Sequence, residues 1–112
     1  MINTPQKIAE KLIQIFPEFE KEWDEGESYG YDGGGYSFHV IFMTFAPIAH
    51  KILATASGKQ IITFCSLINE MVANGGEEGN AIATGLLEHA SQVGIRKILL
   101  PHLSQEAKKE IR

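Results

Sequence analysis

One cysteine, Cys65, and a single tryptophan, Trp23, are all that 112 residues hold of those two types. A lone cysteine closes no disulfide within the chain, which sets aside the small disulfide-stapled scaffolds of secreted domains. No uninterrupted apolar run approaches the roughly 20 residues that cross a bilayer, so no membrane association is expected. The opening Met1-Ile2-Asn3-Thr4-Pro5 has neither the basic nor the apolar region of a signal peptide. The expectation is therefore a cytoplasmic protein. What is present is an ordinary globular mixture, 44% hydrophobic and 21% charged, which excludes a disordered chain. The length predicts one domain over residues 1–112, able to bury roughly two-thirds of its unfolded surface.

The helical expectation rests first on residues 57–94. Ser57 and Gln60 have the spacing of a capping box, hydroxyl first and amide three residues later. Ile61, Phe64, Cys65, Ile68, Met71 and Val72 then recur three and four apart, a broad apolar helix face widened by Ile62 and Leu67. Asn74-Gly75-Gly76 accepts the left-handed backbone that stops a helix. Glu77 and Glu78 lie where the next helix's dipole is positive. Ile82, Ala83, Leu86, Leu87 and Ala90 form the buried face of that second helix, which Gly94 ends. So short a connection makes the two antiparallel, an αα-hairpin at the centre of the fold.

The flanking segments are shorter. Thr4-Pro5 is a cap followed by proline at the first helical position, and Ile8, Leu12, Ile15 and Phe16 give that helix one apolar stripe. Pro17 stops or kinks it. A second short helix is predicted from Pro17 to about Asp24, with Phe19 and Trp23 sharing a face. Residues 38–46 are almost continuously apolar, so periodicity alone allows helix or strand. With no second strand to pair with, helix is preferred, and Pro47 is expected to divide it from, or begin, a helix carrying Ile48, Ile52 and Leu53. Ile95, Ile98 and Leu99 suggest one more turn before Pro101, and Ser104 caps a last one. The expected fold is all-α, an irregular bundle or short superhelix of six to seven short helices.

Charge is unevenly spread. Residues 18–32 hold seven acids (Glu18, Glu20, Glu22, Asp24, Glu25, Glu27 and Asp32) against Lys21. Residues 94–112 hold five bases against Glu106 and Glu110. An acidic patch repels phosphate backbones and attracts basic surfaces, which argues against nucleic acid as the ligand. Within 26–36, five glycines accompany Tyr29, Tyr31 and Tyr36, so this is a loop rich in a residue that interfaces favour. The candidate partner-binding residues are Glu20, Glu22, Trp23, Asp24, Glu25, Glu27, Tyr29, Tyr31, Asp32 and Tyr36. Carboxylates would speed the approach of a basic protein and aromatics would slow its departure. Two alternatives stand beside this: a merely solubilising acidic face, and tyrosines that fold back onto the core.

No pattern for catalysis emerges. Gly33-Gly34-Gly35 is followed by Tyr36-Ser37 with no lysine, so it is not a phosphate-binding loop. His39, His50, His89 and His102 are scattered, and Cys65 has no partner at metal-ligand spacing, so no metal or other cofactor is expected. Cys65 falls on an apolar helix face, where burial suppresses the thiolate. There is no Gly-x-Ser-x-Gly elbow. A hydrolase or transferase combining the 18–32 acids with His39 is conceivable only if a pocket shields one carboxylate from water.

Phe16-Pro17-Glu18-Phe19 with Trp23, Ile68-Asn69-Glu70-Met71 and Ile82-Ala83-Thr84-Gly85-Leu86-Leu87-Glu88-His89 resemble a family of small bacterial helical domains. Some of that family are similar to immunity proteins of contact-dependent growth inhibition and other polymorphic toxin systems. The resemblance implies an all-helical cytoplasmic protein that blocks a cognate toxin by binding it. Joined to the acidic 18–32 stretch and the absence of a catalytic motif, the expected function is an immunity protein, not an enzyme, that occludes a cognate basic toxin domain such as a nuclease. The alternative function is a non-catalytic helical interaction or regulatory module that binds a peptide or associates with itself.

Overall fold

The computed structural model describes residues 3–23 and 37–112. Six α-helices and three 3-10 turns account for most of the described residues, and no strand is found among them. The all-helical expectation holds, including for residues 38–46.

Helix α1 (Pro5–Ile15) starts where predicted, with the Thr4 hydroxyl accepting from the Lys7 amide at 3.2 Å. It buries Ile8, Ala9 and Leu12. Phe16 then turns the chain into a 3-10 turn, Pro17–Lys21. This turn stands where the sequence predicts a second helix reaching about Asp24. Proline removes one amide donor here, and the few residues that follow close on i→i+3 bonds such as Phe19 N to Phe16 O at 2.9 Å.

Helix α2 (Phe38–Ala54) begins at Ser37, whose hydroxyl accepts from Val40 N. It runs unbroken through Pro47, where the sequence predicts a division. Proline's cost arises at the carbonyl four residues back, that of Met43. Both Pro47 and Met43 are exposed, so the orphaned carbonyl lies on the water side, while Phe42, Phe45 and Ala49 bury the opposite face. Burial along the whole length holds the two halves in one helix.

The capping box at α3 (Gly58–Asn74) is complete. Gln60 N donates to Ser57 Oγ at 3.1 Å, and Ser57 N donates to Gln60 Oε1 at 2.8 Å. The same Gln60 amide donates from Nε2 to Ile15 O at 2.8 Å, so one side chain serves the start of α3 and the end of α1. Gly75 (φ 65°) and Gly76 (φ 60°) supply the left-handed backbone that folds α4 (Gly76–Gly85) back on α3.

That hairpin is shorter than predicted. Helix α4 stops at Gly85; of the residues predicted to continue its buried face, Leu87 is buried from a separate 3-10 turn, Leu87–His89, and Leu86 and Ala90 are buried on either side of that turn. Ala81 occupies the core position expected of Ala83, which is only half-buried. Close packing on α2 is what the glycine provides: a Cβ at Gly85 would stand 3.0 Å from Phe42 Cβ. Gly94 (φ 77°) turns the chain into α5 (Arg96–Leu99), followed by a 3-10 turn at Leu100–His102 and α6 (Gln105–Glu110). Asn69 of α3 clips this last segment, donating to His102 O and accepting from Ser104 N at 2.9 Å.

Four phenylalanines form the centre. Phe16, Phe45 and Phe64 lie 5.3 to 5.9 Å apart, and Phe19 meets Phe45 edge-on at 5.3 Å. They join α1, the first 3-10 turn, α2 and α3 in one apolar node. Among the described residues, no helix is long and apolar enough to cross a membrane.

Candidate interaction surface

The burial of two aromatic rings sets the surface of the Pro17–Lys21 turn. Phe19 is fully buried, and Trp23 N donates to Phe19 O at 3.0 Å. That bond lays the Trp23 indole over the Phe19 ring, with centroids 5.9 Å apart and planes at 26°. With both rings inward, Glu18, Glu20, Lys21 and Glu22 are turned out to solvent.

Of the predicted binding residues, Glu20 and Glu22 are therefore exposed as expected. Trp23 is a correction: at 8% exposure it packs into the core and holds the turn in place rather than offering a partner its face. The hydrophobic gain from burying an indole exceeds what one hydrated ring edge can supply, and the four-residue spacing from Phe19 gave it a place to pack. Asp24, Glu25, Glu27, Tyr29, Tyr31, Asp32 and Tyr36 lie outside the described residues.

Beside the acidic turn is a cleft of about 330 Å³ that sequence reasoning missed. Glu18, Lys21 and Glu22 form one wall, and Ile48, Lys51 and Ile52 of α2 form the other with Thr55, which caps that helix. The spacing 48, 51, 52, 55 marks one face of a helix, so that wall was legible. What it faces was not, because the turn reaches it only through the phenylalanine node. Ile52 is buried and Ile48 half-buried, so the floor is apolar and the rim carries charges of both signs. Among the described residues, neither Glu18 nor Glu22 forms an ion pair; Lys11 and Glu70, at 3.8 Å, do.

The other polar clusters are internally satisfied. Asn3 is 7% exposed and donates from Nδ2 to Glu70 Oε2 and Glu78 Oε2, each at 2.8 Å. Its Oδ1 accepts from Lys11 Nζ at 3.3 Å, and Asn74 Nδ2 adds a bond to Glu78 at 3.2 Å. This network ties the start of α1 to both arms of the hairpin.

His39 lines a shallow cleft with Ser37, Phe38, Glu77 and Asn80, and none of Glu18, Glu20 or Glu22 lines it. The Thr84 hydroxyl donates to Asn80 O at 2.8 Å, so it accepts from His39 Nε2–H at 2.9 Å. Cys65 is buried, its Sγ 3.8 Å from Leu99 O, and burial pushes its thiol from 9.0 up to about 11. A thiol held protonated in this way serves packing. Among the described residues, no group of three His, Cys, Asp or Glu side chains is placed to hold a metal ion.

The chain is thus a small all-helical domain with an acidic turn and an adjoining amphipathic cleft. Over residues 9–112 it matches the model of the family described as Domain of unknown function (DUF7674), and it belongs to that family. No curated protein and no solved structure matches it.

Proposed function

We propose that this protein is a non-catalytic cytoplasmic binding protein that masks a basic protein domain, acting as an immunity protein toward a cognate toxin. The observation that carries this reading is the acidic turn. Burial of Phe19 and Trp23 leaves Glu18, Glu20 and Glu22 all exposed, at the head of a stretch with seven acids and one base. Carboxylates in that density stand in for the phosphates that a basic nuclease surface attracts, and they steer its approach. Blocking access to the partner's active site then requires no chemistry from the inhibitor.

The test is binding to a candidate toxin domain encoded directly beside this chain, followed by stopped-flow kinetics. Reversing Glu18, Glu20 and Glu22 to lysine should slow association by about 10-fold or more at low salt and flatten its dependence on ionic strength. An association rate indifferent to these reversals removes the acidic turn from the interface. A second reading, a module that binds a peptide or its own twin, draws on two large apolar side chains left in water, Met43 (61% exposed) and Ile62 (53%). It requires oligomers that form with concentration and ignore salt, which sedimentation at two ionic strengths would detect.

A further inference from the structure

We propose that the cleft at the Gly94 turn is a binding site for a small phosphate monoester. Ser91, Gly94, Arg96 and Lys97 line this cleft of about 250 Å³. Among the described residues its lining carries two cations and no carboxylate, whereas the cleft beside the acidic turn balances Lys21 and Lys51 against Glu18 and Glu22. Gly94 (φ 77°) makes the turn that brings Ser91 and Arg96 to one opening. A Cβ at Gly94 would stand 3.4 Å from His50 Cδ2 and 3.8 Å from its Nε2, so the imidazole of α2 lies against the same glycine.

The polar side chains at this opening are unengaged. Among the described residues, the Ser91 hydroxyl, the Arg96 guanidinium, the Lys97 ammonium and the His50 ring have no hydrogen-bond or ion-pair partner. The backbone beneath them is fixed: Ser91 N donates to Arg112 O at 2.8 Å, Ile95 N donates to Ala90 O at 2.9 Å, and Ile95 is buried. Only side-chain rotamers therefore have to settle on binding. An arginine fork donates to two oxygens of a tetrahedral oxyanion, and a lysine adds a point charge. The serine hydroxyl donates to a further oxygen. Two cations attract a dianion more strongly than the single charge of a carboxylate. The volume lies below the roughly 300 Å³ at which ordinary ligand pockets begin, so the cleft fits a phosphate group and a few further atoms, not a nucleotide. A polynucleotide needs cations along several phosphates, and the net charge of −4 opposes one. The occupant is thus a small molecule. None of Glu18, Glu20 or Glu22 lines the cleft, so the site does not rest on the reading above.

The experiment is an amide NMR titration of the full 112-residue chain at neutral pH and fixed ionic strength. The probes are inorganic phosphate, glycerol phosphate, acetate, glycerol and an end-blocked phosphoserine pentapeptide. Inorganic phosphate and glycerol phosphate are expected to move the signals of Ser91, Gly94, Arg96 and Lys97 along saturating curves, and to bind about 10-fold more tightly than acetate. Glycerol is expected to move none of them. Arg96→Gln with Lys97→Gln, both at exposed positions, should weaken phosphate binding about 10-fold or more while the helical circular dichroism stays native. Lys108→Gln with Lys109→Gln removes the same charge from the basic end without touching the cleft, and should leave the affinity unchanged. Equal losses in the two double variants, or acetate bound as tightly as phosphate, overturn the site, because a diffuse basic surface behaves in that way. Glycerol phosphate bound no better than acetate overturns the monoester as the ligand. The phosphoserine peptide bound about 10-fold more tightly than glycerol phosphate overturns the small molecule in favour of a modified protein.

Discussion

The two ends of α1 are fastened by opposite means. At its C-terminal end Phe16 is buried among rings, 5.3 Å from Phe64 and 5.9 Å from Phe45. At its N-terminal end Asn3 is buried among charges, bonded to Glu70, Glu78 and Lys11. The first attachment gains from removing hydrocarbon from water and is insensitive to salt. The second exchanges hydrogen bonds with water for hydrogen bonds with protein, so its net gain is small, yet breaking it strands polar groups. The acidic turn projects from the apolar end. Its position is therefore set by the apolar fastening.

Substitutions at each end sharpen this contrast. Phe16→Ala should have the largest effect, lowering the unfolding free energy by about 3–5 kcal/mol in urea titrations, because it empties the middle of a fully buried cluster. It should also loosen the Pro17–Lys21 turn, visible as faster amide exchange at Phe19 and Trp23, which use Phe16 O and Phe19 O as acceptors. Asn3→Ala should cost less, about 1–3 kcal/mol, by leaving Glu70 and Glu78 without their shared donor. Amide exchange in the acidic turn should stay unchanged. A cost equal to that of Phe16→Ala would erase the distinction between the ends. Lys11→Met should be smallest, within about 1 kcal/mol and fading in high salt, since its pair with Glu70 is long and exposed. A salt-independent loss there would show that Lys11 works through its bond to Asn3.

Several local features were legible from short-range chemistry alone. The capping box at Ser57 and Gln60, the Thr4 and Ser104 caps and the glycine stop after Asn74 all depend on groups within four residues of one another. The same locality explains the misses. Pro47 reads as a break until the water-facing position of its orphaned carbonyl is known. Gly94 reads as the end of the hairpin, although the close approach of Phe42 at Gly85 accompanies an earlier stop. Trp23 reads as an exposed anchor in an acidic run, and only the place prepared by Phe19 draws it inward. The cleft beside Glu18 was invisible because its two walls come from residues some 30 positions apart in the chain.

Residue order, by itself, determined that this chain is helical, where most of its helices begin and that its acids crowd into one stretch, because caps, periodicity and charge density act over a few neighbours. The tertiary structure decided which way that stretch faces. Distant phenylalanines from four elements had to meet before Phe19 and Trp23 could be buried, and only their burial turns Glu18, Glu20 and Glu22 toward water beside the Ile48–Ile52 floor.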